Sequence, residues 1–103
     1  MEKLTPIQEK ELQAIIRYIN YGKQFNSAKE LYESFSHNKY TKWEDLREEW
    51  RQMNIRDYER RLNNIGLANG NSNTLRALEK KGYIELIKDG KDEYDIVKVI
   101  HFI

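Results

Sequence analysis

The chain of 103 residues has no cysteine, which excludes a disulfide framework, a thiolate metal site and a cysteine nucleophile. It has no apolar run approaching the length of a membrane span. The opening residues, Met1 to Pro6, lack the apolar core of a secretory signal, so the expectation is a soluble protein of the cytoplasm with no membrane partner. Glycine is scarce, at five residues, and no Gly-rich phosphate loop or Ser nucleophile elbow is present. An excess of one charge is also missing. Eighteen Lys and Arg stand against 17 Asp and Glu, a formal charge of +1, whereas non-specific nucleic-acid binders are usually clearly basic. Internal repeats, linkers and low-complexity segments are absent too. What is present is 39% hydrophobic, 12% aromatic and 34% charged residues, enough for one packed domain spanning 1–103.

Helix starts punctuate the first two-thirds. Thr5-Pro6-Ile7-Gln8 combines a capping box with proline at the first helical position. Leu12, Ile15, Ile16 and Ile19 follow at helical spacing, with Gly22 as a stop. Ser27-Ala28-Lys29-Glu30 is a second capping box, opening a helix with Leu31, Tyr32 and Phe35 inward, and Ser36 to Tyr40 reads as a polar loop. Thr41-Lys42-Trp43-Glu44 is a third box, and Trp43, Leu46, Trp50 and Met53 form one stripe after it. Asn54 is placed to cap a further helix carrying Ile55, Tyr58, Leu62 and Ile65, with Gly66 as its C-terminal stop. Leu67 to Asn71 then reads as a turn.

The last third is a helix, Ser72 to Lys81, halted by Gly82. A strand from Tyr83 to Lys88, a turn at Asp89-Gly90-Lys91-Asp92 and a second strand from about Glu93 follow. The expected fold is therefore mainly α with a C-terminal β-hairpin. At 100° per residue, Leu75 and Leu78 share one side of the helix 72–81, and Asn73, Arg76, Ala77 and Lys80 fall opposite. These side chains suit the major groove: an Asn amide for adenine, Arg for the guanine edge, an Ala methyl against thymine. Asn71, Ser72 and Thr74 could offer donors to a phosphate at the helix N-terminus. Lys88 and Lys91 on the hairpin could reach phosphate or the minor groove. From Asn71 to Lys91 five basic residues face three acidic ones.

Two stretches carry a resemblance to a known family: Leu4-Thr5-Pro6-Ile7-Gln8 with its helix, and Leu75-Arg76-Ala77-Leu78-Glu79-Lys80-Lys81-Gly82-Tyr83-Ile84-Glu85. They resemble the winged helix-turn-helix DNA-binding domain of the LexA repressor family. The resemblance implies a three-helix core, a recognition helix at about 72–81 and a wing at about 83–101. This chain carries about thirty further residues between Ser36 and Gly66, an extra helical pair relative to the family. It has no counterpart of the family's self-cleaving protease domain, so no cleavage chemistry is carried over. The helix preceding the reader is 28–35 or 55–65. The second is favoured, since helix, Gly-containing turn and helix then follow directly.

Other constellations carry competing readings. Arg47, Arg51, Arg56, Arg60 and Arg61 could clamp phosphates, with Arg56 and Arg60 best placed if 55–65 flanks the reader. Against this, Asp57–Arg61 and Glu48–Arg51 have the spacing of intrahelical pairs. Trp43, Trp50, Tyr40 and Tyr58 could stack on bases, although their helical spacing favours core packing; any left exposed would mark a protein partner. His37 and His101 lack metal-ligand spacing, and Asp92, Glu93, Asp95 and Lys98 read as hairpin edge charges more simply than as a nuclease cluster. No enzyme and no cofactor is expected.

The leading expectation is a sequence-specific double-stranded DNA-binding protein, a small bacterial or phage transcriptional regulator such as a repressor. Two alternatives stand beside it. One is a winged-helix scaffold for a protein partner, such as a phage-encoded inhibitor or antirepressor, bound through the Trp43/Trp50 segment. The other is an accessory replication or recombination factor of a mobile element. A homodimer through the outer face of the last strand is left open.

Overall fold

The Thr5 hydroxyl accepts from Gln8 N at 3.2 Å, and Gln8 Oε1 accepts from Thr5 N at 3.1 Å, so the first capping box is formed. In the computed structural model, which describes residues 2–69, 71–90 and 94–103, this box opens α1 (Pro6–Lys23). Ser27 caps α2 (Ala28–Glu33) by accepting from Glu30 N. Two short 3₁₀ turns follow, Ser36–Tyr40 and Trp43–Asp45. Then come α3 (Glu48–Leu62), β1 (Ile65–Ala68), α4 (Ser72–Lys80), β2 (Ile84–Lys88) and β3 (Asp95–Val99). The molecule is thus mainly helical with one small antiparallel sheet in the order β1-β3-β2. No helix among the described residues is long and apolar enough to cross a membrane.

Three expectations are corrected. The helices expected at Thr41 to Met53 and Asn54 to Ile65 are one continuous helix, α3, that begins only at Glu48. Thr41 makes no cap, and Asn54 lies mid-helix with its amide donating to Trp50 O at 2.8 Å. A side chain able to cap can equally bond back to the preceding turn. Second, Gly66 does not stop α3. Asn64 takes the left-handed conformation there, φ 62°, a role asparagine fills after glycine, and Lys23 Nζ donates to its side-chain oxygen. Third, Leu67 and Ala68 are in a strand, not a turn. Asn64 O accepts from Val99 N at 2.9 Å and leads the chain into the β1–β3 ladder, Ile65 opposite Lys98 through Ala68 opposite Asp95.

The last third matches the sequence more closely. Asn71 Oδ1 accepts from Asn73 N at 2.8 Å and starts α4. At the other end Gly82 N donates to Glu79 O at 2.9 Å and Tyr83 N to Leu78 O at 3.0 Å. This is a Schellman stop with glycine at φ 87°. The motif turns the chain directly into β2, and Glu79 fastens that strand to the helix by accepting from Leu86 N at 2.7 Å. Lys81 reaches back to Lys3 O and Gln8 Oε1, tying the end of α4 to the start of α1.

The core lies between α1, α4 and one face of the sheet. Leu12, Ile15, Ile16 and Ile19 meet Leu75 and Leu78, with Ala68, Tyr83, Ile84, Val97 and Val99 closing the layer. Because β3 is central, Val97 and Val99 face this core while Ile96 faces the other side, which explains the apolar residues on both faces of the last strand. The helix that supports α4 is α1; α3 lies against α1, α2 and β1 instead. Neither 28–35 nor 55–65 therefore sits as the partner of α4, and the direct helix-turn-helix pairing expected from sequence is replaced by helix, strand, helix.

Arg61 locks α3 onto α1. It is only 5% exposed. Its Nε and Nη2 donate to Asp57 Oδ2 at 3.0 and 2.9 Å, and Nη1 donates to Tyr18 O at 2.9 Å. The guanidinium lies 3.6 Å from the Tyr18 ring centre, and the Tyr18 hydroxyl donates to Asp57 Oδ1. The aliphatic stem crosses α1 at Gly22, where a Cβ would stand 2.3 Å from Arg61 Cδ. Gly22 is thus a slot inside α1 (not its stop), and helix geometry brings Tyr18 and Gly22, four residues apart, to the same face.

Two outcomes are expected. Gly22→Ala should destabilise by about 1–3 kcal/mol through overpacking. In an Arg61→Ala background the same change should become neutral or favourable, since alanine is the better helix former. Arg61→Ala alone should cost about 3 kcal/mol by leaving Asp57 half-buried without its cation. Denaturant unfolding of the four proteins checks this; equal Gly22→Ala effects in both backgrounds would reject the slot. Burial, and then the bond to Asp57, push the Tyr18 hydroxyl above its ordinary value. Its protonated form is therefore favoured on folding, so this contribution is full below about pH 10 and is lost as pH rises beyond that. Tyr18→Phe should cost about 1.5–3 kcal/mol at neutral pH and should lose stability less steeply than the parent above pH 10, as read by alkaline unfolding.

Candidate nucleic-acid interface

Leu75 and Leu78 point into the core, so α4 presents the opposite edge outward. Ser72, Asn73, Arg76 and Lys80 are exposed there, with Thr74 and Ala77 half-buried. Nothing in the described chain packs over this edge. Asn71 is exposed, but its side-chain oxygen is committed to the cap, leaving its amide nitrogen outward. The sequence-derived grouping on α4 is thus present as one continuous surface.

Its electrostatics differ from what a list of basic residues implies. Asp89, immediately after β2, stands 3.8 Å from Arg76. Both partners are largely exposed, so the pair contributes little to stability, yet it lowers the positive potential of the reading edge. Glu79 occupies the same outer surface. Lys81 is turned away toward Lys3 and Gln8. The free cations of this edge among the described residues are therefore Lys80 and, in competition with Asp89, Arg76.

Lys88, Arg56 and Arg60 do not join α4. They line an open groove of about 660 Å³ between α3 and the sheet face turned away from α4. Lys88 pairs opposite Ile96, and Leu67 lies opposite Ile96 on the other side, so the three belong to the same outer face. The expected flanking of the reader by Arg56 and Arg60 is thus not formed. Lys91 lies outside the described residues, as do Asp92 and Glu93.

The intrahelical pairs anticipated on α3 are present. Arg61 meets Asp57, and Arg51 meets Glu48 at 2.7 Å. The Glu48 carboxyl is held below its ordinary value by the bonds from Arg51 and Gln52. Trp43 packs edge-on against Tyr32 at 5.6 Å, and the Tyr58 hydroxyl donates to Phe25 O. Trp50 and Met53 depart from the expected core stripe: they are 51% and 53% exposed and line the groove with Tyr94. The composition of α3 holds a signal for this. Eight of its fifteen residues are charged, so little of its length is suited to burial.

Chemically, the α4 edge offers donors for base edges and phosphate, and the groove offers cations beside aromatic and aliphatic surface. Among the described residues no three His, Asp or Glu side chains gather to hold a metal ion. Comparison with protein-family models, with curated proteins and with solved structures found no match.

Proposed function

We propose that the protein binds double-stranded DNA in a sequence-specific manner through α4, as a small transcriptional regulator of winged-helix type working in the cytoplasm. The observation that carries this reading is the outward edge of exposed Asn73, Arg76 and Lys80, with half-buried Ala77 between them, on a helix capped at both ends. The helix is braced by α1 behind it and passes through Gly82 straight into a two-stranded wing. Support from both sides gives a reading helix the rigidity that base-edge contacts require. The likeness to the LexA family's DNA-binding domain belongs to the same proposal and rests on the α1 start and the α4-to-wing junction. α1 takes the supporting role that the direct helix-turn-helix pairing would have given to 55–65.

A second reading has its own observation: Trp50, Met53 and Tyr94, each about half exposed, gather on one surface away from α4. Clustered exposed apolar side chains of this kind mark protein contacts.

Arg76→Ala should weaken binding to a selected operator by about 1–3 kcal/mol. Asp89→Asn should strengthen binding by about 0.5 kcal/mol, because it frees Arg76 from an exposed pair. Operator affinity should fall steeply with salt as phosphate contacts release counterions. Fluorescence anisotropy with a duplex recovered by in vitro selection measures all three. Absence of duplex binding at low salt, or indifference to Arg76→Ala, would overturn the assignment.

A further inference from the structure

The groove between α3 and the outer sheet face combines two properties that its neighbours do not explain. Its rim carries Arg56, Arg60 and Lys88, none of which has a carboxylate within ion-pair distance among the described residues. The one acidic lining residue, Asp57, already accepts from Tyr18 and from Arg61. No carboxylate among the described residues thus forms an ion pair with the rim cations. Beside these cations and Asn54 the lining carries apolar surface: Leu67 and Ile96 from the sheet, Met53 and Trp50 from α3, and Tyr94 just before β3.

We infer that this groove docks an acidic segment of a partner protein that also carries aliphatic or aromatic side chains. Charge complementarity selects the sign of the occupant: three free cations gain from carboxylates placed along the rim. The apolar lining selects its kind. Leu67, Ile96 and Met53 are aliphatic surface that the flat bases and charged backbone of a single strand would leave poorly matched, since strand-binding grooves pair aromatic platforms with a continuous basic track. Aliphatic side chains of a peptide can fill that space while its carboxylates stay at the edge. Trp, Tyr, Met and Arg are also the residue types enriched at protein contacts. The groove lies on the sheet face opposite α4, so a partner seated there leaves the α4 edge free. The inference is independent of DNA binding.

The test uses the full chain and a short fluorescein-labelled peptide rich in glutamate and leucine. Three labelled controls are the same peptide with lysine for glutamate, one with serine for leucine, and oligothymidylate. The glutamate–leucine peptide is expected to bind at low salt and to change the emission of the exposed Trp50, a change lost in Trp50→Phe. The double reversal Arg56→Glu, Arg60→Glu should weaken it about tenfold, that is about 1.4 kcal/mol, with circular dichroism confirming an intact fold. Arg76→Ala with Lys80→Ala should leave it unchanged. The proposal is overturned by no peptide binding at low salt, or by binding insensitive to the Arg56/Arg60 reversal. It is equally overturned by equal binding of the serine control, which would reduce the groove to charge alone, or by preference for oligothymidylate, which would assign it to single strands.

Discussion

A guanidinium held out of water decides how this chain is arranged. Arg61 could not be buried beside Gly22 without satisfying its charge and its donors there, and Asp57, Tyr18 O and the Tyr18 ring do so together. A buried ion pair is weak evidence of net stability, but breaking one is costly, so it fixes geometry more than it adds free energy. Here it fixes the rotation of α3 about its own axis. Trp50 and Met53 lie on the same side of α3 as Asp57 and Arg61 but nearer its N-terminal end, where they are half exposed. Tyr18 and Asp57 line the groove with them, so the groove borders the joint between α3 and α1.

That constraint also explains why α3 cannot support α4. One side of α1 near its C-terminal end, through Tyr18 and Gly22, is taken by Arg61. The aliphatic side of Leu12, Ile15, Ile16 and Ile19 is taken by α4 and the sheet. α1 is thus the shared axle of two units, α4 with the β2–β3 hairpin and the α3 unit. The nine residues between α3 and α4 hold strand β1. Pairing β1 with β3 completes a three-stranded sheet, which makes β3 a central strand and covers one edge of the hairpin.

The parts legible in the sequence are those whose determinants are local. The Thr5 box, the Gly82 stop and the inward pair Leu75 and Leu78 depend on residues within a few positions of one another and form as read; of the Ser27 box the Ser27 cap forms, while Glu30 accepts from Asn26 N instead. The misread parts depend on distant residues. Thr41 and Asn54 have the chemistry of caps, but whether a helix starts there is decided by what α3 packs against. Gly66 has the look of a helix stop, yet it is glycine because Ile19 Cγ1 and Tyr18 Cδ1 stand 3.0 and 3.1 Å from where its Cβ would be. β1 is four residues long, too short to show a strand period, and exists through its pairing with β3. The same division holds for the candidate site. The α4 edge was legible because one helix carries it whole. The groove was not, because Arg56 and Arg60 meet Lys88 only after the chain has crossed from α3 through the sheet.

The near-neutral charge of +1 takes on a different meaning once the side chains are placed. Formal charge counts Arg61 and Lys81 as available cations, but the first is buried in an ion pair and the second is bound to Lys3 O and Gln8. Asp57 is used up with Arg61, while Lys29 and Glu44 neutralise each other at 2.7 Å far from either surface. Subtracting these internal commitments leaves Arg56, Arg60 and Lys88 of the groove among the cations with no ion pair in the described residues, and leaves the α4 edge with Lys80 and an Arg76 shared with Asp89. Under the proposed DNA-binding function, an α4 edge of modest charge would depend on base-edge complementarity more than on phosphate attraction, since the sequence-independent part of DNA affinity scales with the number of phosphates neutralised. On the opposite face of the sheet Arg56, Arg60 and Lys88 lie beside apolar surface, and the proposal of an acidic protein partner rests on that coincidence of charge and apolar area.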